Sequence, residues 1–233
     1  MTPSNALYSA HPALPLMIWL SPAFPVGSFA YSHALEWAVE AGDLPNASAL
    51  QSWIGDLLAF GAPRNDAIIL TAACCAVGEC DFAALRDAND LALALAGSRE
   101  RYVETSAQGD AFRIAIRATW NNVAFNKADA AIKGDLAYPV AVGMAAAAHN
   151  LDLSATLDGY LTMLVSNLTS AAIRLSVIGQ TDAQRIVMEA LPIIRDLAGC
   201  AAHATLDDVG GCAFRSDIAS MRHETQATRL FRT

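Results

Sequence analysis

The segment Ser154-Ala155-Thr156-Leu157-Asp158-Gly159-Tyr160-Leu161-Thr162-Met163-Leu164-Val165-Ser166-Asn167-Leu168-Thr169-Ser170-Ala171-Ala172-Ile173-Arg174-Leu175-Ser176-Val177-Ile178 settles the class of architecture. It reads as one long apolar helix capped by Ser154. It is too long for a strand and lacks the alternation of a half-buried one. Alanine and leucine dominate the rest of the chain too, and alternating β-branched runs are nearly absent. An all-α fold follows: one globular bundle of about eight to ten helices, packed by ridges into grooves.

Working outward, Thr181 is expected to cap a helix to about residue 203, kinked at Pro192. Beyond Thr205 the pattern breaks at Asp207-Asp208 and Gly210-Gly211. Residues 205–233 are therefore expected outside the core, as a C-terminal partner-binding tail. Upstream, Tyr138-Pro139 starts a helix that ends at His149-Asn150. The polar stretch 121–133 reads as a linker. Gly97-Ser98 opens a helix from Arg99 to about 120, with a bend at Gly109. Asp81 caps a helix carrying Leu85, Leu91 and Leu95. Residues 66–77 form another, ended by Gly78. A helix after Pro45 carries Leu50, Ile54, Leu57 and Leu58 on one face and breaks at Gly61-Ala62-Pro63. Pro25-Val26-Gly27 is a turn, after which Ser28 caps a helix to about 41, stopped by Gly42. A short helix over 14–20 stops at Ser21-Pro22, and residues 1–13 are expected to be a loose arm. The globular domain is thus placed at 14–204.

The chain has 233 residues, is 54% hydrophobic and only 16% charged, and carries a net charge of −8. A chain this apolar buries an unusual share of its surface or keeps some for partners. Its only lysines are Lys127 and Lys133. With no basic stripe in the sequence, nucleic acid and anionic membranes are disfavoured as partners. The runs 67–77 and 136–148 fall short of the ~20 residues a membrane span needs and read as buried helices. No signal peptide is expected. Five cysteines at irregular spacing do not make a disulfide framework, and reduced cytoplasmic thiols are the simpler reading.

Motifs for catalysis are missing. There is no Glu-x-x-His pair for a di-iron bundle, and His33-Ala34-Leu35-Glu36 is a single copy in reverse order. His223-Glu224 begins like a zincin motif, but Ala227 stands where the second histidine belongs. No phosphate loop, dinucleotide fingerprint or nucleophile elbow is present. No metal, cofactor or catalytic residue is expected. Glu36 and Glu40, one turn apart, read by themselves as a solvated face. Arg99, Glu100, Arg101 and Glu104 read as surface pairs, each worth a few tenths of a kcal/mol. Arg174 interrupts an apolar run, so it either snorkels or has a function. In the tail, arginines alternate with Met221, Leu230 and Phe231. Those apolar groups would gain by docking, on a partner or back on the bundle.

Several segments carry a family likeness. Ser21-Pro22-Ala23-Phe24-Pro25-Val26-Gly27-Ser28-Phe29-Ala30-Tyr31-Ser32, with Leu35-Glu36, resembles the opening signature of the urease accessory protein UreF family. Gly42 and Trp53 sit where that family continues. Arg101 to Gly109, with Glu104-Thr105, is similar to its central segment. Ala171-Ala172-Ile173-Arg174-Leu175 and Gly179-Gln180-Thr181-Asp182-Ala183-Gln184-Arg185 resemble its late helix-turn segment. His223-Glu224-Thr225 through Arg229-Leu230-Phe231-Arg232 resembles its terminal one. Two departures touch turn shape: Ala34 stands where a glycine is common, and Ser176-Val177-Ile178-Gly179-Gln180 replaces a Pro-Leu-Gly-Gln pattern.

The resemblance implies a cytoplasmic, non-enzymatic helical protein, often a homodimer. Such proteins join the UreD (UreH) accessory protein and the GTPase UreG, and the complex helps deliver nickel to the urease apoprotein. The residues it marks for partner contact are Tyr31, His33, Glu36 and Glu40 in the opening segment, Glu104 in the central one, and Arg174, Gln180 and Gln184 in the late one. In the tail they are Arg222, His223, Glu224, Arg229, Leu230, Phe231 and Arg232, expected to dock on UreD. Arg174 lies in the region linked to the GTPase. The alternative is a helical-bundle enzyme or small-ligand binder with a buried apolar pocket.

Overall fold

The computed structural model describes residues 13–232. The expected arm therefore lies, except for Ala13, outside the described residues. The helices are α1 (Ala13–Trp19), α2 (Leu35–Glu40), α3 (Ala47–Phe60), α4 (Ala62–Gly78), α5 (Phe82–Ala94) and α6 (Arg99–Thr119). They continue as α7 (Val123–Ala131), α8 (Tyr138–Ala148), α9 (Leu153–Arg174), α10 (Gln180–Ala201) and α11 (Phe214–His223). Short 3₁₀ turns occupy Ser28–Ala30 and Leu206–Asp208. The described residues contain no strand, and the fold is the all-α bundle the sequence calls for.

At the centre stands α8, Tyr-Pro-Val-Ala-Val-Gly-Met-Ala-Ala-Ala-Ala, which is apolar on every side and almost wholly buried. It packs most extensively on α4 and next on α6, while α9 pairs with α10. Small residues let the backbones approach. A Cβ on Gly109 of α6 would lie 1.8 Å from the Leu136 carbonyl oxygen, and one on Gly143 of α8 would lie 2.5 Å from that of Leu70. Gly109 thus marks a close approach to the 136–137 backbone, where the sequence suggested a bend.

Four helices end alike. The N–H three residues past the last helical residue reaches back five positions: Asp43 to Ala38 (2.9 Å), Asp81 to Ala76 (2.8 Å), Leu151 to Ala146 (2.9 Å) and Val177 to Ala172 (3.0 Å). The residue before each of these is left-handed: Gly42 (φ 81°), Cys80 (φ 58°), Asn150 (φ 54°) and Ser176 (φ 62°).

Several expected boundaries are corrected. The helix expected from Ser28 is broken in two, because His33 (φ 51°) and Ala34 (φ 65°) are left-handed. The expected linker 121–133 is largely helix α7. Asn122 caps it through the N–H groups of Ala124 and Phe125, and it buries Phe125 and Ala128. Helix α4 starts at Ala62, because Pro63 is welcome in a first turn. Asp152, not Ser154, caps α9, its carboxylate accepting the Ala155 N–H at 2.7 Å. Gly179 precedes α10, so Thr181 lies inside it. The last twenty-odd residues do not all lie outside the core, because Ala213, Ala219 and Phe231 are buried in it.

Candidate functional site

The most densely bonded polar region joins the loop after Gly27, the start of α6 and the C-terminal segment. Helix α6 explains why. Glu100, Glu104, Gln108, Phe112 and Ile116 follow one another at four-residue spacing on one stripe, and all five are buried. The polar half of this stripe must therefore find partners inside the fold. Of the pairs expected among the 99–104 charges, Arg101–Glu104 forms at i,i+3, but on a buried carboxylate rather than at the surface.

Glu104 accepts from Arg101 Nη1 at 2.7 Å and from Gln108 Nε2 at 3.2 Å, and lies 3.1 Å from His33 Nε2. Arg101 Nη1 also meets His33 Nδ1. Burial, opposed by Glu104, pushes the His33 imidazole down to about 4. The ring is neutral at neutral pH. Its Nε2–H donates to Glu104 and its Nδ1 accepts from Arg101, which fixes the tautomer. It thereby ties the left-handed 33–34 turn to α6. Next to this cluster, Tyr160 donates its hydroxyl to Asp66 Oδ2 at 3.1 Å, and burial lifts the Asp66 carboxyl to about 6 against the pull of Arg101.

The C-terminal segment docks on the same stripe. His223 is fully buried between two carboxylates, with Nδ1 2.7 Å from Glu100 Oε2 and Nε2 3.2 Å from Glu36 Oε2. One ring nitrogen faces each carboxylate, so the imidazole bridges Glu36 and Glu100. Ser98 and Ser220 hydroxyls meet at 2.6 Å, and Glu224 accepts the Arg99 N–H at 2.8 Å. Arg229 Nη1 donates to Glu100 at 2.8 Å, and Gln226 Nε2 to Glu40. The segment ends with the Arg232 N–H on the Ala30 carbonyl at 2.8 Å. Arg174 lies between two rings, 3.9 Å from the Phe29 centroid and 4.2 Å from that of Phe231, and donates to the Phe29 carbonyl at 2.6 Å.

Of the residues marked for partner contact, Tyr31, Glu36, Glu104, His223 and Phe231 are buried within the chain. Glu36 is thus no solvated face. His33, Arg174 and Glu224 are half-buried, while Glu40, Gln180, Gln184, Arg222, Arg229, Leu230 and Arg232 are exposed. All but Gln180 and Gln184 gather at the loop–tail junction or on α11 beside it. There Phe29 (72% exposed) and Leu230 (65%) stand out as large apolar groups facing solvent. The sequence reading missed Asp66, Ser98 and Glu100. For Glu100 the signal was the four-residue spacing that continues into Phe112 and Ile116.

The UreF family model matches residues 44–191. A Urease accessory protein UreF of Xanthobacter autotrophicus is 51% identical over 220 residues, 94% of this chain and 90% of the relative. This chain belongs to the UreF family. Proteins of the same name from Rhodopseudomonas palustris and Methylobacterium radiotolerans agree. The first is 50% identical over 218 residues (94% of this chain, 92% of the relative), the second 46% over 233 residues, all of both chains. The resemblance read from the five segments is therefore the family itself. Among the described residues no group of three His, Cys, Asp or Glu could hold a metal, and no helix is long and apolar enough to cross a membrane. All five cysteines are free thiols.

Proposed function

We propose that this chain is a non-catalytic, cytoplasmic scaffold of urease maturation. It joins the UreD (UreH) accessory protein to the GTPase UreG, and the assembly, with this chain as a homodimer, delivers nickel to the urease apoprotein. The observation that carries the proposal is the near full-length identity to proteins named urease accessory protein UreF. The loop–tail junction gives it a physical form. The buried residues Glu36, Glu100, Glu104 and His223 fix the geometry, and the exposed Phe29, Leu230, Arg222 and Arg232 supply the contact. Acting on a GTPase from outside, the chain works by differential binding, favouring the state of UreG it binds better by that preference and no more.

Cutting the tail at Gly210 would strip Ala219, His223 and Phe231 from the fold, so point changes are the sharper test. Purified full-length chain is mixed with UreD and UreG and passed over a sizing column. A ternary complex that is lost with Leu230→Asp or Arg232→Glu, at unchanged helicity, supports the reading. No complex with the unaltered chain rejects it.

One observation favours the ligand-binding alternative: a cleft of about 300 Å³ with Asn65, Asp66, Arg101, Thr105 and Asp217 in its walls. The adjoining cavity beside His33 and Arg101 holds only about 30 Å³, room for about one water. A thermal-shift screen of small cations and zwitterions separates the readings: a saturable shift that Asp66→Asn abolishes would favour the ligand site.

A further inference from the structure

Both lysines of the chain fall in one small region of the surface. Helices α6 and α7 face each other across a cleft of about 690 Å³, walled by Arg113, Ile114, Arg117, Asp129, Ala130 and Ile132. Within residues 113–133 the only charged side chains are Arg113, Arg117, Lys127, Lys133 and Asp129, a net of +3 in a chain of net −8. Asp129 is buried in the cleft wall and ion-paired with both arginines, although its Oδ1 accepts no hydrogen bond. Arg117 Nη1 lies 3.0 Å from it and Arg113 Nη1 3.6 Å. The flanking acids are engaged as well: Asp110 holds Arg113 at 2.6 Å, and Asp135 accepts from Tyr102 at 2.9 Å. Lys127 and Lys133 are exposed, and Lys127 stands one turn before Ala130 on α7. Between these charges Ile114 shows 67% of its surface to solvent.

We propose that this cleft docks an acidic segment of a partner protein. One apolar side chain of the segment seats on Ile114 and Ala130, and its carboxylates meet Arg117, Lys127 and Lys133. Charge complementarity selects the partner: four of the fifteen basic residues of an acidic chain, both lysines among them, fall within 113–133 beside one exposed isoleucine. A long polyanion is disfavoured, because the surrounding negative surface repels it and the apolar floor offers phosphates nothing. The cleft is distinct from the loop–tail junction, since Arg117 lies 16 residues, roughly 24 Å, along α6 from Arg101. The inference rests on the assembly reading above and gives it a second contact surface.

The test uses the full-length double variant Lys127→Glu/Lys133→Glu, which breaks no ion pair within the chain, and separately Ile114→Ser. Each is titrated with purified UreD, UreG and urease apoprotein at two salt concentrations, and with vesicles containing phosphatidylserine. The proposal expects one of the three proteins to bind the double variant about tenfold more weakly or worse, with reduced salt dependence. The same protein should lose affinity for Ile114→Ser, while melting of both variants stays unchanged. Three undiminished affinities overturn the cleft proposal alone. So does a parental chain whose lysine-dependent binding goes only to the vesicles. A parental chain that binds none of the three proteins overturns the assembly reading and this inference with it.

Discussion

Glu36 holds the backbone N–H groups of Leu230 at 2.6 Å and of Phe231 at 3.0 Å, so one carboxylate on α2 fixes the far end of the chain. Its second oxygen also meets His223 Nε2. Glu36→Ala leaves these donors without an acceptor, at about 1–3 kcal/mol for each that stays buried. The tail is expected to peel away rather than bear that cost. Amide hydrogen exchange should show lost protection over residues 224–232 with α8 unaffected. Equal protection in variant and parent would mean that Glu36 does not hold the tail.

Left-handed residues without the freedom of glycine give a prediction of opposite sign. Cys80 and Ser176 are exposed and left-handed at helix ends. Replacing either with glycine removes a Cβ penalty of about 1–2 kcal/mol and costs about 0.4–1 kcal/mol in unfolded-state entropy. Each change should stabilise by about 0.5–1 kcal/mol in urea unfolding. Ala34→Gly should come out near neutral, because the buried methyl it deletes contributes about 0.8 kcal/mol. A loss of stability at both helix ends would contradict the assigned backbone.

Two glycine substitutions test the packing. Gly109→Ala forces a methyl onto the Leu136 carbonyl and should destabilise by about 3 kcal/mol or abolish folding. Gly199→Ala, in α10 with open space around it, should stabilise by up to about 1 kcal/mol. Thermal melts that rank the pair the other way would refute the α6 packing.

Two half-buried groups give opposing pH slopes. Asp66 is raised to about 6, so the folded state holds its proton over the pH range where the unfolded state has lost it. Its contribution to stability is present at low pH and is lost as pH rises towards 6. His33 is lowered to about 4, so the unfolded state takes up its proton first, and stability falls as pH drops from about 6.5 to 4. The slopes largely cancel between pH 4 and 6. Asp66→Asn removes one of them. The variant's stability relative to the parent should then grow from pH 4 to pH 6, by up to about 3 kcal/mol. A constant difference across that range would show that Asp66 titrates as an ordinary carboxyl.

The all-α class and most helices were legible, because leucine and alanine spacing reports burial directly. What escaped was polar burial. Glu36 and Glu100 look like surface acids, and only the folded-back tail, contributed from 123 to 195 residues away, supplies their donors. Helix α7 was read as a linker because Asn121, Asn122, Asn126 and Lys127 obscure its buried Phe125 and Ala128. The break at His33-Ala34 was visible only as a missing glycine. The basic cleft was invisible because α6 and α7 each supply half of it.

The pairing of Glu36 with Leu230, 194 residues later, also has a consequence in time. At about 5–20 residues per second, a ribosome takes roughly 10–40 s to travel from one to the other. Glu36 waits through that interval for its donors, and Glu100, made 64 residues after it, waits through the remainder for His223 and Arg229. The bundle can close its apolar centre early, yet this acidic seam stays open until residues 223–231 have left the ribosome. A chain still short of residue 223 therefore carries Glu36 and Glu100 without their tail donors, whatever part of the bundle has already closed.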